Sequence, residues 1–124
     1  MKIRIKGDSV RVRLTKTEVD KFGAEGYIEE STHFGSGVFG YALRARSDIH
    51  ELSAEFSNNK ITLFVPAVTA QEWVTTDIVG FKNNIDIGGG RSLFLLLEKD
   101  FKCIDGEVIE DQSDNYENPL ATCQ

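Results

Sequence analysis

Lys2, Arg4 and Lys6 fall on alternate positions, and Arg11 and Arg13 do the same beyond Gly7-Asp8. Successive side chains of a strand point to opposite faces, so both sets project to one side of their strands. Gly7-Asp8 has the chemistry of a two-residue hairpin turn with glycine first. An even loop then sets Arg4 opposite Arg11 and Lys2 opposite Arg13, with Ile5 facing Val10 and Ile3 facing Val12 on the other side. Sliding the turn to Asp8-Ser9 would set Arg4 against Arg13 and Lys6 against Arg11. Either register opposes like charges, at a cost of roughly 0.2–1 kcal/mol per pair. An anion between them removes that cost, and guanidinium groups grip phosphate or carboxylate oxygens bidentately. Arg44 and Arg46 alternate in the same way and add two cations if their strand neighbours the hairpin. Three readings of this face stand. It is solvated or internally paired by Glu29, Glu30, Glu51 or Glu55; it is a pocket for a phosphate-bearing or carboxylate ligand; or an acidic tail of the same chain lies across it.

Other reactive side chains fall short of a motif. His33, His50, Cys103 and Cys123 have no chelating spacing, and no metal or other cofactor is expected. Two cysteines are too few for a disulfide framework. Asp111, Ser113, Asn115 and Glu117 alternate like the start of a calcium loop. Tyr116 and Thr122 stand where that loop needs glycine and a bidentate Glu. Gly88-Gly89-Gly90-Arg91 leads into a strand pattern, so it reads as a hairpin loop and not as a phosphate cradle. Ser36 lacks the flanking pattern of a nucleophile elbow.

The elements that must carry these residues alternate with turn signals. Strands are predicted on both sides of Gly7-Asp8, over Tyr27–Phe34 and Phe39–Arg46, from Glu51–Phe56 to Ile61–Val65 across Asn58-Asn59, and over Gly80–Ile87 and Ser92–Lys99. Thr15 with Glu18 forms a capping box for a short helix ending at Gly23 or Gly26. Thr69 with Glu72 repeats the pattern for a second helix running through Trp73. The fold class is α+β: a mostly antiparallel sheet or partly closed β-barrel of roughly seven or eight strands with two short helices. Residues 1–104 form one globular domain and residues 105–124 an acidic C-terminal tail, with no internal repeat evident.

Charge and hydropathy bound the function. Every Lys and Arg lies at or before Lys102, so the net charge of −6 rests on Asp105, Glu107, Glu110, Asp111, Asp114 and Glu117. An acidic chain of this kind is not expected to bind nucleic acid in general. No apolar run approaches the ~18 residues that span a bilayer, and the longest, Leu93–Leu97, reads as a buried strand. The N-terminus has charge on every second residue, unlike a signal peptide, so a cytoplasmic protein is expected.

Met1-Lys2-Ile3-Arg4-Ile5-Lys6-Gly7, Ser9-Val10-Arg11-Val12-Arg13-Leu14-Thr15-Lys16, Thr32-His33-Phe34-Gly35, Glu98-Lys99-Asp100-Phe101-Lys102-Cys103 and Ser113-Asp114-Asn115-Tyr116 together resemble a family of short uncharacterised bacterial proteins over nearly the whole chain. That resemblance implies no particular activity. Val10-Arg11-Val12-Arg13 is also similar to the arginine strand of CYTH-type triphosphate tunnel enzymes, which bind polyphosphate inside an antiparallel half-barrel. Their Glu-x-Glu-x-Lys element occurs nowhere in this sequence. The expectation is a small anion- or phosphate-ligand-binding or accessory module using Lys2, Arg4, Lys6, Arg11, Arg13, Arg44 and Arg46. Its partner would be a phosphorylated small molecule or an acidic protein segment, with no nucleic acid and no membrane. One alternative is a metal-dependent phosphoanhydride hydrolase in which Glu51, Glu55 and Glu98 hold the metal. Another is an interaction module that pairs through a sheet edge.

Overall fold

A computed structural model describes residues 1–101 and 114–117. Among the described residues the order of elements is β1 (Lys2–Ile5), β2 (Ser9–Leu14), α1 (Lys16–Glu25), β3 (Tyr27–His33), β4 (Val38–Arg46), β5 (Ser53–Ser57), β6 (Lys60–Pro66), α2 (Ala67–Thr75), β7 (Gly80–Gly88) and β8 (Arg91–Lys99). Two four-stranded sheets result. Sheet A has the order β1-β2-β8-β7 and sheet B the order β3-β4-β6-β5. Four antiparallel hairpins build them, but their central pairs, β2 with β8 and β4 with β6, run parallel. The described strands therefore form two mixed sheets and no closed barrel.

Turn chemistry sets the hairpins. Gly7 takes a positive φ, and Lys6 and Ser9 exchange backbone hydrogen bonds across it. Asn58 and Asn59 both adopt left-handed φ, which asparagine tolerates and a primed turn requires. Thr15 and Glu18 make the reciprocal capping box, and Gly26 ends α1 in the left-handed region. The second helix corrects the sequence reading. It starts at Ala67, directly after Pro66, with no side-chain cap, so Thr69 and Glu72 lie inside it. Pro66 closes β6 as Thr15 follows β2, and this strand end sets where the helix begins.

The chain is a twofold topological repeat, which corrects the expectation of none. Each half runs hairpin, helix, hairpin, and each sheet takes its first hairpin from one half and its second from the other. The inner residues Val10, Val12, Leu14, Val19 and Phe22 recur at one spacing as Ile61, Leu63, Val65, Ala70 and Trp73. Register agrees: Ser9 pairs Phe94 where its counterpart Lys60 pairs Gly40. Phe94 N–H donates to the Asp8 carbonyl at 2.9 Å where Gly40 N–H donates to Asn59 at 3.0 Å. Equivalent positions meet where the helices cross. Phe22 and Trp73 pack edge to face with ring centroids 6.3 Å apart, so the dyad relating the halves passes between α1 and α2.

The core lies between the sheets' inner faces and around this contact, with Leu14, Leu43, Leu63, Val65, Leu95, Leu97, Phe22 and Trp73 almost wholly buried. Trp73 also packs on Phe81 and donates its indole N–H to the Val79 carbonyl at 3.0 Å. The run Leu93–Leu97 is buried on one face only. Leu95 and Leu97 enter the core, whereas Phe94 and Leu96 are half-buried on the outer face.

At the base of the core the Met1 α-ammonium pairs with Glu18 and lies 3.3 Å from Glu30, whose carboxylate accepts from the Tyr41 hydroxyl at 2.9 Å. Burial pushes the Glu18 carboxyl up, but hydrogen bonds from the ammonium and from Thr15 outweigh it and hold the group below its ordinary value of 4.5. Burial and the Glu30 hydrogen bond raise the Tyr41 phenol.

Two predictions follow from these contacts. A Cβ added at Gly23 would stand 2.6 Å from Val74 Cγ1 on the facing helix. Valine is stiff at χ1 and cannot swing away. Gly23→Ala should therefore cost about 1 kcal/mol in urea unfolding despite its better helix propensity, and Val74→Ala added to it should recover most of that loss. Glu18→Gln should cost about 1–2 kcal/mol at pH 7 through the weakened cap and lost ion pair. Because the folded carboxyl titrates below the unfolded one, this contribution is full above the ordinary carboxylate range and fades as pH falls through the lowered value. The gap between the two unfolding curves should be widest at neutral pH and close as the pH falls below the ordinary carboxylate range.

Candidate functional site

The outer face of sheet A, turned away from the core, carries the predicted hairpin cations. Register pairs Lys2 with Arg13 and Arg4 with Arg11, as the Gly7-Asp8 turn requires. Lys6 follows at the turn, exposed. The rest of the face is supplied by strands that sequence reasoning did not bring there. Arg11 pairs Leu96 and Leu96 pairs Lys82, giving the row Arg4, Arg11, Leu96, Lys82 across β1, β2, β8 and β7. One step along, Ser9 pairs Phe94 and Phe94 pairs Asn84; one step the other way, Arg13 pairs Glu98.

Part of this charge is answered within the molecule, by groups other than those expected. Arg13 Nε donates to Glu98 Oε1 at 2.7 Å, and Lys2 Nζ lies 2.9 Å from Asp100 Oδ2. Asp8, in the turn, pairs with Arg91 at 3.2 Å. Arg4 and Arg11 each also have an interaction within the molecule. The expected counter-charges lie elsewhere. Glu29 and Glu55 are on sheet B, Glu30 faces the Met1 ammonium, and Glu51 precedes β5 near the Asn83 amide.

Arg44 and Arg46 do not join this face. They sit on β4, whose neighbours are β3 and β6, so both belong to sheet B. The Arg44 guanidinium stacks 4.4 Å from the centre of the Tyr27 ring. Arg46 lies 5.0 Å from that of Phe64 and pairs with Asp48, which raises Arg46 and lowers Asp48. Lys60 completes the sheet B surface, 2.6 Å from Glu29 and 2.5 Å from the Tyr27 hydroxyl. Its hydrogen bond to Glu29 raises the lysine and lowers the carboxyl. The three carboxylates expected to hold a metal do not converge. Glu98 is on sheet A against Arg13, Glu55 on sheet B and Glu51 before β5, and no cluster of three metal-capable side chains occurs among the described residues.

The repeat supplies an internal control for the basic face. Arg4, Arg11 and Lys82 correspond to Glu55, Thr62 and Glu29, while Phe94 and Leu96 correspond to Gly40 and Ala42. The fold is thus satisfied by acids and small residues where sheet A carries cations and large apolar groups. Lys82 is not singled out by the sequence, and Phe94 and Leu96 read there as part of a buried strand, because alternation reveals which residues share a face of one strand, not which strands are neighbours.

Other sequence candidates resolve more simply. His33 is exposed at the end of β3. His50 borders a shallow cleft of about 190 Å³ with Glu51, Thr69, Phe81 and Asn83. A second cleft of about 330 Å³ lies between Val19, Val74, Lys99 and Phe101. No described helix is long and apolar enough to cross a membrane. Cys103, Cys123, most of the calcium-like run from Asp111 and most of the acidic tail lie outside the described residues, and so does the reading in which that tail covers the basic face.

Comparison with known proteins yields one match. A model described as a family of unknown function, DUF7009, matches residues 1–120. No curated protein and no solved structure matches the chain. Within the face, the Arg13–Glu98 pair is partly shielded, so a double-mutant cycle with Arg13→Gln and Glu98→Gln should return a coupling of about 0.5–1 kcal/mol in chemical denaturation.

Proposed function

The chain belongs to a family of unknown function, DUF7009, and from the surface of sheet A we propose that it is a small binding or accessory module whose basic sheet face accepts an anionic partner. The observation that carries this reading is the row Arg4, Arg11, Leu96 and Lys82, set in register across the four strands of sheet A, in which every charged side chain is basic. Lys6 adds a further exposed cation one step along. Cations fixed in facing positions by strand pairing can share the oxygens of one phosphate or carboxylate, beside the interactions that Arg4 and Arg11 already make within the molecule. The equivalent row of sheet B, with Glu55, Thr62 and Glu29, supports the reading further, because the fold itself does not demand cations there.

Inorganic triphosphate and polyglutamate are the probes. At about ten times its dissociation constant either should stabilise the chain by about 1.4 kcal/mol and raise the unfolding midpoint by about 5 °C. The shift should shrink at high salt. The triple variant Arg4→Gln, Lys6→Gln, Lys82→Gln should lose it, whereas Arg46→Gln on sheet B should keep it. No shift with either probe at millimolar concentration refutes the proposal.

A further inference from the structure

We infer that the partner of this face is an acidic amphipathic helix of another protein, laid along β8 with an apolar stripe on Phe94 and Leu96. This rests on the anion-binding reading above and specifies its ligand. The outer side chains of β8 set two large apolar groups, both half-buried, between Arg11 and Ser9 of β2 on one side and Lys82 and Asn84 of β7 on the other. Neither Phe94 nor Leu96 belongs to the core or packs against it as Leu93 does. A sheet face with apolar residues in its middle is one that helices cover in layered folds, yet both helices among the described residues, α1 and α2, pack in the core on the opposite side of the sheet.

Dimensions favour a helix over an extended peptide. Neighbouring strands lie about 4.8 Å apart, so the Arg11 and Lys82 strands flank β8 at a separation of about 10 Å. A helix with its side chains is about 10–12 Å across and can set acids on both flanks of an apolar stripe at once. Phe94 and Leu96 are spaced about 7 Å along the strand, close to the ~6 Å between residues i and i+4 of a helix. A membrane surface fits less well, because interfacial segments bury their apolar side chains about 5–10 Å deep and these two are recessed among cations.

The test uses the full chain and fluorescence anisotropy with a labelled peptide carrying two leucines at i and i+4 flanked by glutamates. A scrambled isomer, polyglutamate and triphosphate are the comparisons, with vesicles of phosphatidylserine as a separate arm. The amphipathic peptide should bind at least tenfold more tightly than its scrambled isomer. Phe94→Ala with Leu96→Ala should reduce that preference below threefold. Lys82→Glu, at an exposed edge-strand position where folding is not at stake, should weaken the amphipathic peptide at least fivefold. Equal binding of both isomers, with triphosphate still bound, overturns the helix and leaves the anion reading standing. Failure of every anion overturns both. Tighter association with the vesicles than with the peptide overturns the helix in favour of a lipid surface.

Discussion

The contact between Phe22 and Trp73 is what makes one body out of two sheets. Neither helix belongs to a sheet, and each half of the chain gives a hairpin to both sheets. The inner faces of sheets A and B therefore need a common filling where they approach, and two large aromatic rings at equivalent positions supply it. Close packing tolerates little volume change at such a point. Directly beside the rings, equivalent positions hold Gly23 and Val74, with no room for a Cβ on the first while the second is valine. A branched side chain on one side of the axis is matched by the absence of one on the other.

Away from the axis the halves differ for another reason. Inner positions keep their apolar character in both repeats because one core constrains them all. Outer positions carry no such constraint, and sheet B has used them to neutralise itself: Lys60 on Glu29, Arg46 on Asp48, guanidinium groups over Tyr27 and Phe64. Sheet A pairs Arg13 with Glu98 and Lys2 with Asp100 at one end of its surface and carries Arg4, Arg11 and Lys82, the first two also engaged within the molecule, in the row beside them. The same positions of sheet B hold Glu55, Thr62 and Glu29, so the scaffold does not require cations there.

Much of this was written in local chemistry. Gly7-Asp8, Asn58-Asn59, the Thr15 capping box and the alternation around Ile3, Val10 and Val12 act over a few residues, and the hairpin register with its opposed Arg4 and Arg11 emerged from them. Strand order did not. The parallel pairing of β2 with β8 joins residues far apart in the chain, and no turn encodes it. For that reason the sequence leaves open whether Arg44 and Arg46 lie beside the hairpin, does not single out Lys82, and reads Phe94 and Leu96 as part of a buried strand. The repeat was hidden by the same physics. Only the buried half of each strand recurs, so the apolar skeleton that links Phe22 to Trp73 is diluted by outer residues that share nothing.

The central parallel pairing has a consequence for how the chain reaches its native state. Hairpin β1-β2 finds its long-term neighbour only in β8, near the end of the described chain, and β4 joins β6 across the midpoint. Such contacts of high sequence separation must close large loops before they are rewarded, which slows folding. During synthesis the first hairpin would emerge from the ribosome long before β8 exists, leaving the open edge of β2 unsatisfied. The cations along that hairpin would then discourage edge-to-edge association of nascent chains, a kinetic safeguard exercised while β8 is still to be made.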